Sequence, residues 1–410
     1  MRNIDNTKAI ANTVERRLTL ALAALMTAGI FFGANSIAKA GETPDKTPPA
    51  PTTVQFGEKR FKVTESAESA TITVTRTGVL TETTTVDYAV GLDDDGTDTA
   101  RQNSDFTLTA GTLTFAPSDT LKTFVVLINR VNTPGMVEKE AKVVLSNVQG
   151  LGAALGQPNR VTLEIDDEVE VEHENPLDDN RNYVRQQYHD FLNRKPDDSG
   201  LQFWTGKLDD CANDVPCLEH EHREVSAAFY MSREFQDTGL FVFKLQKVSF
   251  NQRPQYLSFI PQVQEIGGNA IANGVATSRH QFADDFTKRD DFKAAYDNLS
   301  NDNYVDTLYR NAEVQMDRQV RDRQVDDLNN NRHGRGEILQ EIAEGQELNN
   351  HEYNPAFVLM QYFGYLRRDP DAAGYQFWVG KLNEGTHDNY PGMVDAFVKA
   401  LEYRDRFGPR

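Results

Sequence analysis

Cysteine is nearly absent from this chain of 410 residues, with only Cys211 and Cys217 present. Two cysteines exclude a disulfide-dense scaffold and a cysteine-rich zinc domain. Positive charge is also scarce. Forty-three Lys+Arg stand against 62 Asp+Glu, giving a net charge of −19, whereas binding a nucleic-acid backbone calls for a basic surface. The chain has no Gly-x-Ser-x-Gly elbow, phosphate loop, dinucleotide fingerprint or His-Glu-x-x-His pair, so no nucleophile, nucleotide site or zinc-protease motif can be named. Only the stretch from Leu18 to about Phe32 approaches the length of a membrane span.

That stretch belongs to an export signal. Arg2, Lys8, Arg16 and Arg17 form a basic region, the apolar run follows, and Ala38-Lys39-Ala40 is a small-x-small cleavage site before Gly41. An uncleaved anchor is the competing reading, and Gly29, Gly33, Asn35 and Ser36 weaken it. Removing residues 1–40 takes away five basic and two acidic residues and leaves a net charge of −22. The mature protein is expected to be acidic, exported to the periplasm, cell surface or medium, and without a membrane span. Residues 41–53, rich in Pro and Thr, read as a linker.

From 54 to 168 the hydrophobic period is two. Ile72 and Val74, Val86 with Tyr88 and Val90, Leu113 and Phe115, Val143 and Leu145, and Val161 with Leu163 and Ile165 alternate with polar residues. About seven short strands separated by turn residues predict an all-β, immunoglobulin-like sandwich. Asp93, Asp94 and Asp95, followed by Gly96, read as one of the turns.

The motif order resembles a family. It runs from Phe61-x-Val63-x-Glu65 and Ala70-x-Ile72-x-Val74-x-Arg76-x-Gly78 through Ser104-Asp105-Phe106 and Gly111-Thr112-Leu113-Thr114-Phe115. It ends on Val161-x-Leu163-x-Ile165-Asp166-Asp167-Glu168. This resembles a Calx-beta domain, the calcium-binding sandwich of sodium/calcium exchangers and many bacterial surface proteins. The resemblance implies Ca2+ at one end of the sandwich, held by Glu65, Asp105, Asp166, Asp167 and Glu168. Calcium takes six to eight oxygens, and clustered carboxylates without a cation repel one another. One departure stands out. Where the family places an acidic pair, this chain has Asn129-Arg130, and Glu138 and Glu140 lie about one residue out of register.

Residues 169–180 are acidic and read as an interdomain linker. Beyond them the period becomes helical. Val184, Tyr188, Phe191 and Leu192 share one helix face, and Val358, Tyr362, Tyr365 and Leu366 repeat the spacing. At a fixed offset of 174, Arg194-x-Pro196-Asp197-x-x-Gly200-x-Gln202-Phe203-Trp204 matches Arg368-x-Pro370-Asp371-x-x-Gly374-x-Gln376-Phe377-Trp378. Weaker head and tail signatures between them predict four helical units, at 181–240, 241–300, 301–354 and 355–410.

The two full units resemble the bacterial domain of unknown function 4214, which is distantly similar to phycobilisome linker domains and often accompanies exported proteins. That family supplies no chemistry. In the shared turn, Pro196 and Pro370 suit a helix start, Asp197 and Asp371 suit a cap, and Gly200 and Gly374 relieve crowding. Trp204 and Trp378 are expected to pack between helices.

Cys211 and Cys217 are expected to form a disulfide around a five-residue loop. His220 and His222, two apart, cannot share a metal on a helix. The sequence therefore points to a non-enzymatic, exported, calcium-binding structural or adhesive protein, with the helical repeats binding a cell-envelope protein or polysaccharide. An extracellular hydrolase with a catalytic helical region and a membrane-tethered surface sensor are the alternatives.

Overall fold

The computed structural model describes residues 51–91, 97–132, 138–167, 175–385 and 389–408. The signal region, Asp93 to Asp95 and Glu168 lie outside these residues.

Nine strands among the described residues, rather than about seven, build the first domain. They are β1 (Thr52–Phe56), β2 (Arg60–Thr64), β3 (Ser69–Thr77), β4 (Thr84–Val90), β5 (Thr109–Phe115), β6 (Leu121–Leu127), β7 (Glu138–Gln149), β8 (Ala153–Leu155) and β9 (Arg160–Asp166). One sheet has the order β6-β3-β1-β8 and the other β2-β9-β7-β4-β5. The pairings β1–β8 and β2–β9 are parallel and the others antiparallel. The period-two residues named above fill the space between the sheets, where Ile72, Val74, Val86, Val143 and Leu163 are buried. Arg76 is buried there too. Its guanidinium donates to the carbonyls of Asp119, Glu82 and Ala116 at 2.8–2.9 Å. A desolvated cation is tolerable because its donors are satisfied.

Both linker assignments need correction at one end. Thr52 and Thr53 already belong to β1, since Thr53 pairs with Thr77. After the acidic segment, Asn175 is fully buried and its amide donates to the carbonyls of Arg404 and Gly408 at 3.0 and 3.2 Å. Pro176–Asp178 then forms a 3-10 turn, and the first helix starts at Asn180. The last part of that linker is therefore built into the helical domain. Its acidic composition hides this, because the anchoring rests on one buried amide, Asn175, and one apolar side chain, Leu177, which joins the helical core.

The helical domain shares one apolar core. Its four head helices run Asn180–Gln187, Phe241–Phe250, Asn301–Ala312 and Gln346–Gln361. The first and last continue into single wide turns, Tyr188–Leu192 and Tyr362–Leu366. Each head terminates on a residue with positive φ, namely Asn193, Asn251, Glu313 and Arg367.

The two motif-bearing units repeat each other contact by contact. Arg194 pairs with Glu234 and Arg368 with Glu402. Those guanidiniums lie over the Tyr188 and Tyr362 rings. Asp197 and Asp371 each cap a helix, accepting from the amides of Gly200 and Gly374 at 2.8 Å. A Cβ on either glycine would collide with the hydroxyl of Tyr188 or Tyr362. The two prolines precede the capping residue, because the helices begin at Asp198 and Ala372. Trp204 and Trp378 are half-buried and pack on Phe229 and Phe397 at 5.8 and 6.0 Å between ring centres. Cys211 and Cys217 are disulfide-bonded.

Candidate functional site

Three distant segments bring carboxylates to one apex of the sandwich. Glu65 opens the short turn after β2, Asp105 lies in the loop before β5, and Asp167 follows β9. All three converge as expected, but they converge on an amine. Lys139 Nζ lies 3.0 Å from Glu65 Oε1, 3.0 Å from Asp105 Oδ1 and 3.5 Å from Asp167 Oδ2. The lysine is fully buried. Its place follows from the strand period. In β7, Lys139, Ala141, Val143 and Leu145 point inward, while Glu138 and Glu140 point away from the core.

The electrostatics fit an internal ion pair. Burial works against charge on Lys139, but Asp105 and Glu65 beside it hold its pKa above the ordinary lysine value. Burial pushes Glu65 up to about 7, against the opposing pull of Lys139. The remaining carboxylate oxygens are largely used by the backbone. Glu65 Oε2 accepts from the amide of Val131 at 3.3 Å, and Asp105 Oδ2 from the amide of Arg101 at 2.5 Å.

One of the five expected ligands, Asp166, is not part of this apex. Asp166 lines a shallow surface depression with Phe61, Thr64 and Thr71. Neighbouring residues at a strand end face opposite ways, so Asp166 and Asp167 do not act together. Glu168 lies outside the described residues.

Asn129, at the position of the family's acidic pair, is buried and points at the helical domain. Its Oδ1 lies 3.0 Å from His189 Nδ1, and its amide donates to the carbonyl of Ser104 at 2.8 Å. Around it the two domains are joined by several polar contacts. Arg185 pairs with Glu68 at 2.6 Å, Tyr256 donates to Asn103 at 2.7 Å, and the amide of Asn132 donates to the carbonyl of Phe407 at 2.6 Å. Leu108 and Val131 from the sandwich pack in the helical core. A cavity of about 20 Å³, room for roughly one water, lies at this junction between Glu65, Asn129 and His189.

This donor set does not fit a calcium ion while Lys139 is in it. An ammonium occupies the point where the carboxylates meet, and Arg185 and His189 of the helical domain line the small cavity that Glu65 borders. A second acidic group, Glu138, Glu140 and Glu164, has oxygens close enough to share a metal. Arg60 reaches all three of these, and Lys62 also pairs with Glu164. His220 and His222 lie on the helix Val215–Met231, with His220 exposed and the His222 ring against Tyr183.

The family comparisons follow the same division. The Calx-beta domain model matches residues 48–169, and the model for a domain of unknown function, DUF4214, matches residues 172–238 and 348–407. No curated protein matches the chain. Among solved structures, the apo-form Calx CBD1 domain is 23% identical over 29% of this chain and 98% of its own, with a TM-score of 0.26. The calcium binding domain CBD12 of CALX1.1 is 24% identical over 28% of this chain and 45% of its own, with a TM-score of 0.25. A two-domain protein of unknown function from Bacteroides fragilis is 10% identical over 30% of this chain and 48% of its own, with a TM-score of 0.22.

Proposed function

We propose that this is an exported, non-catalytic structural protein in which a Calx-beta-type sandwich holds a helical interaction domain in a fixed orientation. The observation that carries the reading is the repeated surface of the two motif-bearing units. Phe203 and Phe377, matched at the offset of 174, are 57% and 56% exposed. Each stacks edge-on against its neighbouring tryptophan, at 4.9 and 5.2 Å. A large apolar ring kept in solvent at the same place in two copies serves a contact rather than the core, because burial would otherwise favour hiding it.

The partner class is a cell-envelope protein or polysaccharide. The disulfide is in keeping with an oxidising compartment. No helix among the described residues is long and apolar enough to cross a membrane. Calcium at the sandwich apex is no part of this reading, because Lys139 stands in the donor set that the ion would need there.

The test compares the wild-type chain with Phe203→Ser plus Phe377→Ser for binding to purified envelope fractions, protein and polysaccharide measured separately. Loss of binding to one fraction with an unchanged melting temperature supports the reading and names the partner class. Equal binding by both chains overturns it. N-terminal sequencing of the exported protein should begin at Gly41, and an intact Met1 would favour a tether.

A further inference from the structure

We propose that Lys139 is the resident cation of the sandwich apex, a covalently attached replacement for a divalent ion that locks the domain junction without calcium. Three features carry this. First, the charges match: the ammonium donates to Glu65 Oε1 at 3.0 Å and makes ion pairs with Asp105 Oδ1 and Asp167 Oδ2 at 3.0 and 3.5 Å. Second, these carboxylates come from segments far apart in sequence, and gathering them without positive charge would set like charges against one another. Third, the other oxygens of Glu65 and Asp105 are already bonded to the chain through Val131 and Arg101, so they are turned away from any shared external ion.

The consequence is a fixed state. A bound metal makes a fold depend on the metal's concentration, whereas a lysine inside the chain is present whenever the chain folds. The same apex carries Asn129, which meets His189 of the helical domain at 3.0 Å. The cation that organises the apex therefore also organises the joint, and the joint holds whether calcium is present or not. Removing the amine while leaving the acids should turn the apex into a site that needs an added cation.

The experiment uses the full chain. Melting temperature is measured in chelator and in millimolar calcium, with terbium luminescence as a second readout. The wild type should show the same melting temperature in both and no saturable terbium signal. Lys139→Ala and Lys139→Gln should lose roughly 5–15 °C in chelator and recover part of it in calcium, with terbium bound. Lys139→Met, similar in length but uncharged, should show the same loss. A calcium-dependent rise in the wild type overturns the proposal, as does a Lys139→Met chain as stable as the wild type. Absence of any calcium gain in both the Ala and Gln variants also overturns it.

Discussion

Asp190 is the point at which the helical domain is most open to a single change. Its carboxylate is fully buried and has four side-chain partners. Oδ1 accepts from Gln186 at 2.7 Å, from Arg367 at 2.7 Å and from Arg406 at 3.3 Å, and Oδ2 accepts from Tyr403 at 3.0 Å. The Arg367 and Arg406 side chains are 1% and 8% exposed. Replacing Asp190 with Ala leaves two guanidiniums in a dry interior around one missing charge. Breaking a buried pair in this way costs about 3–5 kcal/mol. For a domain of this size that corresponds to roughly 6–20 °C in melting temperature. Both tryptophans of the chain, Trp204 and Trp378, lie in the helical domain, so their fluorescence during urea unfolding reads this domain directly. The control is Asp178→Asn, which removes the more exposed partner of Arg404 and should cost no more than about 1 kcal/mol. An Asp190→Ala loss as small as the control's would refute the assignment of Asp190 as the counter-charge of both arginines.

Acid acts on two histidines of the helical domain. Burial holds His189 down to about 3 and His222 to about 4. Both are neutral in the folded chain, while the unfolded chain protonates them below about 6.5. On these two groups the unfolded state binds more protons, so their contribution to stability falls as pH drops from about 6.5 toward 4, while Glu65, raised to about 7 by burial, contributes in the opposite sense. Urea titrations of wild type and His189→Gln across that range should show the wild type losing stability relative to the variant, by roughly 3 kcal/mol at pH 4. A packing prediction concerns Gly364, where a Cβ would lie 2.8 Å from the Phe191 ring. Gly364→Ala should cost about 1–3 kcal/mol by overpacking, read by tryptophan fluorescence. A neutral effect would mean that the two wide turns are loosely packed.

The parts of this molecule set by local pattern were legible in the sequence. Alternation at Ile72 and Val74 or Val161 and Leu163 identifies strands with one buried face. The offset of 174 identifies two copies of one helical unit, and their caps, arginine pairs and tyrosine–glycine contacts follow. The convergence of Glu65, Asp105 and Asp167 followed from the family resemblance, but the group at their centre did not. Lys139 sits between two glutamates and reads as part of a charged surface stretch. Its phase held the signal, since it is in register with Ala141, Val143 and Leu145 and must therefore point inward. Asn129-Arg130 is visible in the sequence as a departure from the family's acidic pair. That Asn129 would meet His189 was out of reach, because the contact spans 60 residues and depends on how two domains dock. Asp190, Arg367 and Arg406 were invisible for a similar reason. Asp190 and Gly364 occupy equivalent positions in the two copies, so the duplication itself suggests no charge there.

The first and last helical units face each other directly. Phe191 meets Tyr365 at 5.2 Å, Tyr230 meets Phe357 at 4.5 Å, and Ser226 bonds to Tyr365. In a linear solenoid each unit touches only its neighbours along the chain, and the stack can lengthen at either end. Here the stack bends round until its ends seal against one another. The first motif-bearing unit is thus held by the last as well as by its neighbour in sequence, and unfolding either one would expose the face of the other.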